Sequence, residues 1–254
     1  MRIFTILFVA GTIATMFLSS CSEDTPVTPG VTAKNFLPLS VGNYWIYSRS
    51  TLDTNNKPTT TVTDSAVVTK ALTFNGKSAH QVIYYTIGAP NQNDTTYFSK
   101  SSDSSLYMWF NIDAAALTDA IPGVVVPNFW TKVYSTDKQP WASFDTTLKN
   151  ISYSGFNLDI KLTVSGKVTN DTTVSLSGTS YSAAQSQLNF NVIAYMAGTT
   201  TPIMTLNIPQ NYVLIDKIGP FSMTTPSSKI VLGGTSVLSS LEGSMSVLKS
   251  YKLK

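Results

Sequence analysis

Leu158-Asp159-Ile160-Lys161-Leu162-Thr163-Val164-Ser165-Gly166-Lys167-Val168-Thr169-Asn170-Asp171-Thr172-Thr173-Val174-Ser175-Leu176 decides the fold. From Leu158 to Val164 every second residue is apolar and each residue between is polar or charged, the period of a strand with one face in a core and one in water. Val174 and Leu176 resume the alternation after Asn170-Asp171, a pair suited to a tight turn, so the stretch predicts a β-hairpin that turns at Asn170-Asp171.

The same rhythm extends outward. Upstream, strands are expected over Tyr44–Leu52, Thr59–Ala71, Ser78–Ile87, Thr95–Lys100 and Ser105–Phe110, with turns at Asn55-Asn56-Lys57-Pro58, Asn75-Gly76, Gly88-Ala89-Pro90-Asn91 and Ser101-Ser102-Asp103. Asp113 is placed to cap one short helix over Ala114–Ala120, ended by Pro122-Gly123. Downstream, Ser143–Leu148, Ser152–Thr169, Thr172–Thr179, Ser186–Met196, Ile203–Ile208, Tyr212–Ile218 and Ser244–Leu253 read as strands, the second as one bent strand or two. Connections this short pair neighbours antiparallel. The fold class is therefore all-β: a large antiparallel meander forming a curved sheet, a half-barrel or a two-sheet sandwich, after a cleaved signal helix. Residues 35–254 are read as a single domain, with Lys149-Asn150 the best candidate for an internal boundary.

Charged residues make up only 12% of the chain, while Ser, Thr and Asn are abundant, a balance typical of β proteins outside the cytoplasm. Arg2 precedes an apolar run from Ile3 to Leu18, the layout of a secretory signal peptide and shorter than a spanning helix of about 18 or more residues. The run ends in Leu18-Ser19-Ser20-Cys21, which resembles the bacterial lipobox. The resemblance implies cleavage between Ser20 and Cys21, lipid attachment at Cys21, and palmitate among the acyl chains. Cys21 is the only cysteine, so no internal disulfide competes for it. The residues that follow, Ser22-Glu23-Asp24 and Thr25-Pro26-Val27-Thr28-Pro29-Gly30, form a polar tether within 21–34. Ser22 after the cysteine resembles lipoproteins passed on to an outer membrane, and Glu23-Asp24 resembles a surface-export signal. Localisation in a bacterial cell envelope, lipid-anchored at the outer membrane, follows from that resemblance.

A second resemblance lies in Phe36-Leu37-Pro38-Leu39-Ser40-Val41-Gly42-Asn43-Tyr44-Trp45-Ile46-Tyr47. Its Pro-Leu-x-x-Gly-x-x-Trp-x-Tyr pattern is similar to the opening of many uncharacterised bacterial lipoproteins that continue as antiparallel strands. Physically, Gly42 lets the chain turn, and Tyr44 to Tyr47 then alternate as a strand with aromatic residues on both faces.

Chemistry is sparse. Without Arg2, 17 basic residues become 16 against 14 acidic, and they are scattered singly, so no nucleic-acid partner is expected. His80 is the only histidine and no Gly-x-Ser-x-Gly elbow occurs; no catalytic residue is assigned. Zinc ligands are lacking and no Asp-x-Asp-x-Asp run is present, so no metal and no cofactor are expected. Gly233-Gly234-Thr235-Ser236 reads as a loop between strands rather than a phosphate cradle. The aromatic residues remain: Trp130, Tyr134 and Trp141 flank the polar loop Ser135–Pro140 and are the candidate ligand-binding set. The first functional reading is a non-enzymatic envelope lipoprotein binding a small apolar, glycan or envelope-protein partner, with the membrane held through the N-terminal lipid. A surface adhesin or assembly component is the alternative, and a hydrolase comes third.

Overall fold

The computed structural model describes residues 34–89, 93–102, 104–110, 127–153 and 155–254. Cys21, Ser20, the tether and the expected helix over Ala114–Ala120 lie outside them. Among the described residues, fourteen antiparallel strands form one sheet. They are β1 Tyr44–Leu52, β2 Pro58–Phe74, β3 Lys77–Thr86, β4 Asn93–Lys100, β5 Leu106–Phe110, β6 Phe129–Tyr134, β7 Trp141–Tyr153, β8 Phe156–Leu176, β9 Thr179–Met196, β10 Pro202–Ile215, β11 Gly219–Thr225, β12 Ser228–Leu232, β13 Ser236–Leu241 and β14 Gly243–Lys252.

Two meanders, β1 to β6 and β7 to β11, lie side by side in the order β6-β5-β4-β3-β2-β1-β14-β11-β10-β9-β8-β7, and β14 joins them. A twisted sheet this wide curls rather than stays flat. Its two edges, β6 and β7, consequently approach each other, and the sheet nearly closes into a barrel. The seam is made by side chains rather than by a backbone ladder: the Thr131 hydroxyl donates to Ser143 Oγ at 2.8 Å, the Lys132 amide donates to the same oxygen at 3.3 Å, and Phe129 stacks on Phe144 with centroids 4.5 Å apart.

Inward positions alternate as the sequence suggests. Leu158, Ile160, Leu162 and Val164 of β8 are buried beside Phe190, Val192 and Ala194 of β9. Trp141 lies over Gly166, where a Cβ would come within 2.4 Å of the indole, so only glycine leaves room for the ring.

Several boundaries differ from the sequence reading. The hairpin does not turn at Asn170-Asp171: β8 runs on to Leu176, with a register shift between Val168 and Asp171. The turn falls at Ser177-Gly178, with φ values of 51° and 83°. Positive φ at both central residues is what a type I′ hairpin requires. Asp171 instead pairs with Lys138 at 2.8 Å. Lys149-Asn150 lies within β7, at a bulge between Leu148 and Ile151. Ile203–Ile208 and Tyr212–Ile218 merge into β10, which tolerates Pro209. Strands β6, β11, β12 and β13 carry no regular alternation and were not expected.

One end of the barrel is stoppered by the segment before β1. Phe36, Leu37 and Leu39 are buried in the main core cluster with Trp45, Val133, Tyr134 and Leu214. The Asn35 amide donates to Asp216 Oδ1 at 2.6 Å, and its carbonyl accepts from the Lys217 amide at 2.8 Å. Here the Pro-Leu-x-x-Gly-x-x-Trp-x-Tyr pattern acquires a cause. The Pro38 carbonyl accepts from Asn43 Nδ2 at 2.9 Å, and the Gly42 amide donates to the Val68 carbonyl at 2.8 Å. Trp45 Nε1 donates to the Ile218 carbonyl at 2.6 Å, and the Tyr47 hydroxyl donates to the Pro220 carbonyl at 3.2 Å.

Trp45 is 1% exposed, so Trp45→Phe would leave the Ile218 carbonyl buried without its donor and open a small void. The expected loss is about 2–3 kcal/mol of unfolding free energy, read from the midpoint of a urea titration. Tyr47→Phe, which removes only a longer hydrogen bond, should lose about 1 kcal/mol.

Candidate functional site

Register brings polar side chains together in the lumen away from the stopper. In β1 the inward side chains run Trp45, Tyr47, Arg49; in β2 they run Val68, Ala66, Asp64; in β3 they run Val82, Tyr84, Thr86. Asp64 pairs across the ladder with both Tyr47 and Thr86, which places Arg49 on its diagonal. Arg49 Nε meets Asp64 Oδ2 at 2.5 Å. The Thr86 hydroxyl donates to Asp64 Oδ1 at 2.9 Å and accepts from Arg49 Nη2 at 3.3 Å. Asp64 is 7% exposed, and these contacts satisfy a carboxylate that burial alone would penalise.

These groups face a cavity of ≈ 920 Å³. Tyr84, Asp94, Gln210 and Tyr212 contribute further polar groups, Ser244, Ser246 and Thr225 further hydroxyls, and Met108, Phe110 and Met223 an apolar wall. The Tyr212 hydroxyl donates to Gln210 Oε1 at 3.1 Å. Burial pushes the Tyr84 phenol well above its ordinary range, with Tyr212, Asp94 and Asp64 adding to the effect. Tyr212 is raised by burial alone, and Tyr47 by burial and then by Tyr84. All three therefore stay neutral hydrogen-bonding groups at any physiological pH.

The sequence-based set of ligand residues does not assemble here. Trp130 Nε1 donates to the Asn75 carbonyl at 3.1 Å, and its ring meets Trp109 and Phe74 edge-on, with Phe74 stacked on Tyr97 at 3.7 Å. Trp130 is thus a latch for the β2–β3 hairpin tip. Tyr134 is 2% exposed and meets Phe36 edge-on at 4.5 Å, part of the stoppered core. Trp141 covers Gly166, with the Lys132 ammonium 5.7 Å from its ring centroid. The loop they flank is itself pinned: Ser135 donates to Asp137 Oδ1 at 2.7 Å, and so does the Gln139 amide at 3.0 Å.

His80 pairs with Ala71 and Phe98 and does not line the cavity; its pKa is lowered by partial burial and then by Lys100. Sequence reasoning missed Arg49, Asp64, Tyr84, Thr86, Gln210 and Tyr212. Their signal was a charged or hydroxyl residue on the inward phase of an otherwise apolar strand.

No protein-family model matches the chain, and no curated protein matches it. Among solved structures the chain is similar to a candidate lipoprotein from Parabacteroides distasonis ATCC 8503, at 11% identity and a TM-score of 0.45, covering 87% of this chain and 99% of that one. It is also similar to a candidate exported protein with a YmcC-like fold from Bacteroides fragilis NCTC 9343, at 11% identity and a TM-score of 0.39, covering 87% of this chain and 100% of that one.

The buried phenols make stability depend on alkali in one direction. Below the ordinary tyrosine pKa of 10.0 the folded and unfolded chains are equally protonated there. Above it the unfolded chain loses protons that the fold retains, so stability falls as pH rises. Urea midpoints measured across alkaline pH should decline from that point, and a Tyr84→Phe/Tyr212→Phe variant should show a shallower decline.

Proposed function

We propose that the protein is an exported lipoprotein of the bacterial cell envelope, cleaved before Cys21, held at the outer membrane by its lipid, and that its β domain binds a small hydroxyl-rich ligand of the saccharide kind in the barrel lumen. The signal run, Leu18-Ser19-Ser20-Cys21 and the polar tether support the address. One observation carries the binding reading: the ≈ 920 Å³ cavity, whose lining is dominated by hydroxyl and amide groups beside an aromatic and thioether wall. Its Arg49–Asp64 pair is internally neutralised, which leaves Asp94 as the one unbalanced charge in a lining that otherwise offers hydrogen bonds. Sugar hydroxyls match such a lining, and the apolar faces of sugar rings match Phe110, Met108 and Met223.

Anchor and ligand are tested separately. Intact-mass analysis should show a diacylglyceryl-modified, signal-free chain, and Cys21→Ser should abolish both the added mass and retention in the membrane fraction. Unchanged processing and retention of the variant would contradict the address. For the ligand, the Cys21→Ser chain titrated calorimetrically with a panel of mono- and disaccharides should bind at least one, and Tyr84→Phe should weaken that binding about tenfold, the worth of one good hydrogen bond. A panel without binding at millimolar concentration, or a variant that binds equally, would contradict the lumen as the site.

A further inference from the structure

Thr225 belongs to two cavities at once. On one side it lines the polar chamber; on the other it lines a pocket of ≈ 390 Å³ shared with Ile208, Pro226, Leu241, Ser228, Ser240 and Glu242. Ile208 and Gln210 are successive same-face positions of β10, about 7 Å apart at strand spacing, so the lining changes from polar to apolar within one repeat. Ile208 and Leu241 also pack against the second core cluster, which includes Leu206 and Ile230. The smaller pocket is therefore an inlet into the apolar core that opens beside the polar chamber.

Resting on the saccharide-binding reading, we propose that the ligand is an amphiphile: a hydroxyl-rich headgroup in the polar chamber and an alkyl chain in the Ile208–Pro226–Leu241 pocket, a glycolipid in the chemical sense. A chain seated there gains burial against Ile208, Pro226 and Leu241. Glu242 fixes the direction. A free fatty acid would bring its carboxylate against that carboxylate if it entered head first, while a neutral chain end is tolerated there.

The approach is apolar as well. Of the seven exposed large apolar side chains among the described residues, Val62, Ile87, Phe156, Leu232, Val237 and Leu238 lie toward the end opposite the Phe36–Leu39 stopper. Leu232, Val237 and Leu238 belong to the β12–β13 hairpin, whose residue Leu241 walls the pocket. A chain partitioning toward that rim arrives beside the inlet.

The test uses the full-length Cys21→Ser chain in detergent-free buffer, titrated calorimetrically with methyl, butyl, hexyl and octyl β-D-glucosides below their micelle thresholds. Affinity should rise roughly fourfold per buried methylene (about 0.8 kcal/mol) until the pocket is full. Leu241→Asn should flatten the series while leaving methyl glucoside binding unchanged, and Ile208→Thr should do the same if the first variant folds poorly. A flat series in the unsubstituted pocket, or a slope indifferent to both variants, overturns the chain subsite and leaves the saccharide chamber standing. Absence of binding by every glucoside, methyl included, overturns chamber and chain site together.

Discussion

The structure depends on a short apolar stopper. A sheet whose β6 and β7 edges meet through contacts such as Thr131–Ser143 and Phe129–Phe144 has no continuous backbone ladder to hold its seam. Phe36, Leu37 and Leu39 supply what the seam lacks, by giving strands from both meanders a common apolar partner at one end. Burial of each such side chain contributes about 1.5–3 kcal/mol, so the group is comparable to the whole net stability of a typical domain, about 5–15 kcal/mol. The hydrogen bonds of Asn35, Asn43, Trp45 and Tyr47 fix where the stopper sits rather than how strongly it is held.

From that end the lumen grades from dry to wet. Trp45 gives way to Arg49 along β1, Val68 to Asp64 along β2, and Val82 to Thr86 along β3. An ion pair such as Arg49–Asp64 contributes little net stability where one partner is well exposed, as Arg49 is with 39% of its side chain accessible. Hydrophobic residues at those positions would serve the fold as well or better. The polar lumen is thus a feature that folding does not require, and it is the reason for placing function there rather than on the aromatic residues of the outer surface.

Much of this was legible in the sequence, and the exceptions have physical causes. Strands with strict alternation, such as Leu158–Val164, declare both their class and their inward face, whereas Tyr44–Leu52 declares its class but carries aromatic residues on both faces. The Asn170-Asp171 pair misled because turn chemistry is permissive: Asn and Asp tolerate a bulge as readily as a turn, and Ser177-Gly178 lay seven residues on with the backbone freedom that the turn used. Strands β11 and β13 escaped because their Ser, Thr and Gly content carries no period, and β12 because Ser228–Leu232 is too short to show one. Trp130, Tyr134 and Trp141 stood out beside a polar loop, yet the packing of an indole or phenol depends on neighbours that only the tertiary fold supplies, here Asn75, Phe36 and Gly166. The chamber itself could not be read, since Arg49, Asp64 and Gln210 become one site only when a strand register and a curled sheet bring them together.

The central claim is that this barrel is stoppered at one end so that its lumen can hold an amphiphilic guest at the other. Native mass spectrometry of the intact protein, extracted from its own membrane with a polymer rather than a detergent, tests it most directly. The account predicts one non-covalent guest per chain, additional to the lipid proposed on Cys21, and its loss from a chain carrying both Tyr84→Phe and Leu241→Asn. A chain that carries no non-covalent guest, or a guest retained equally by that double variant, would contradict it.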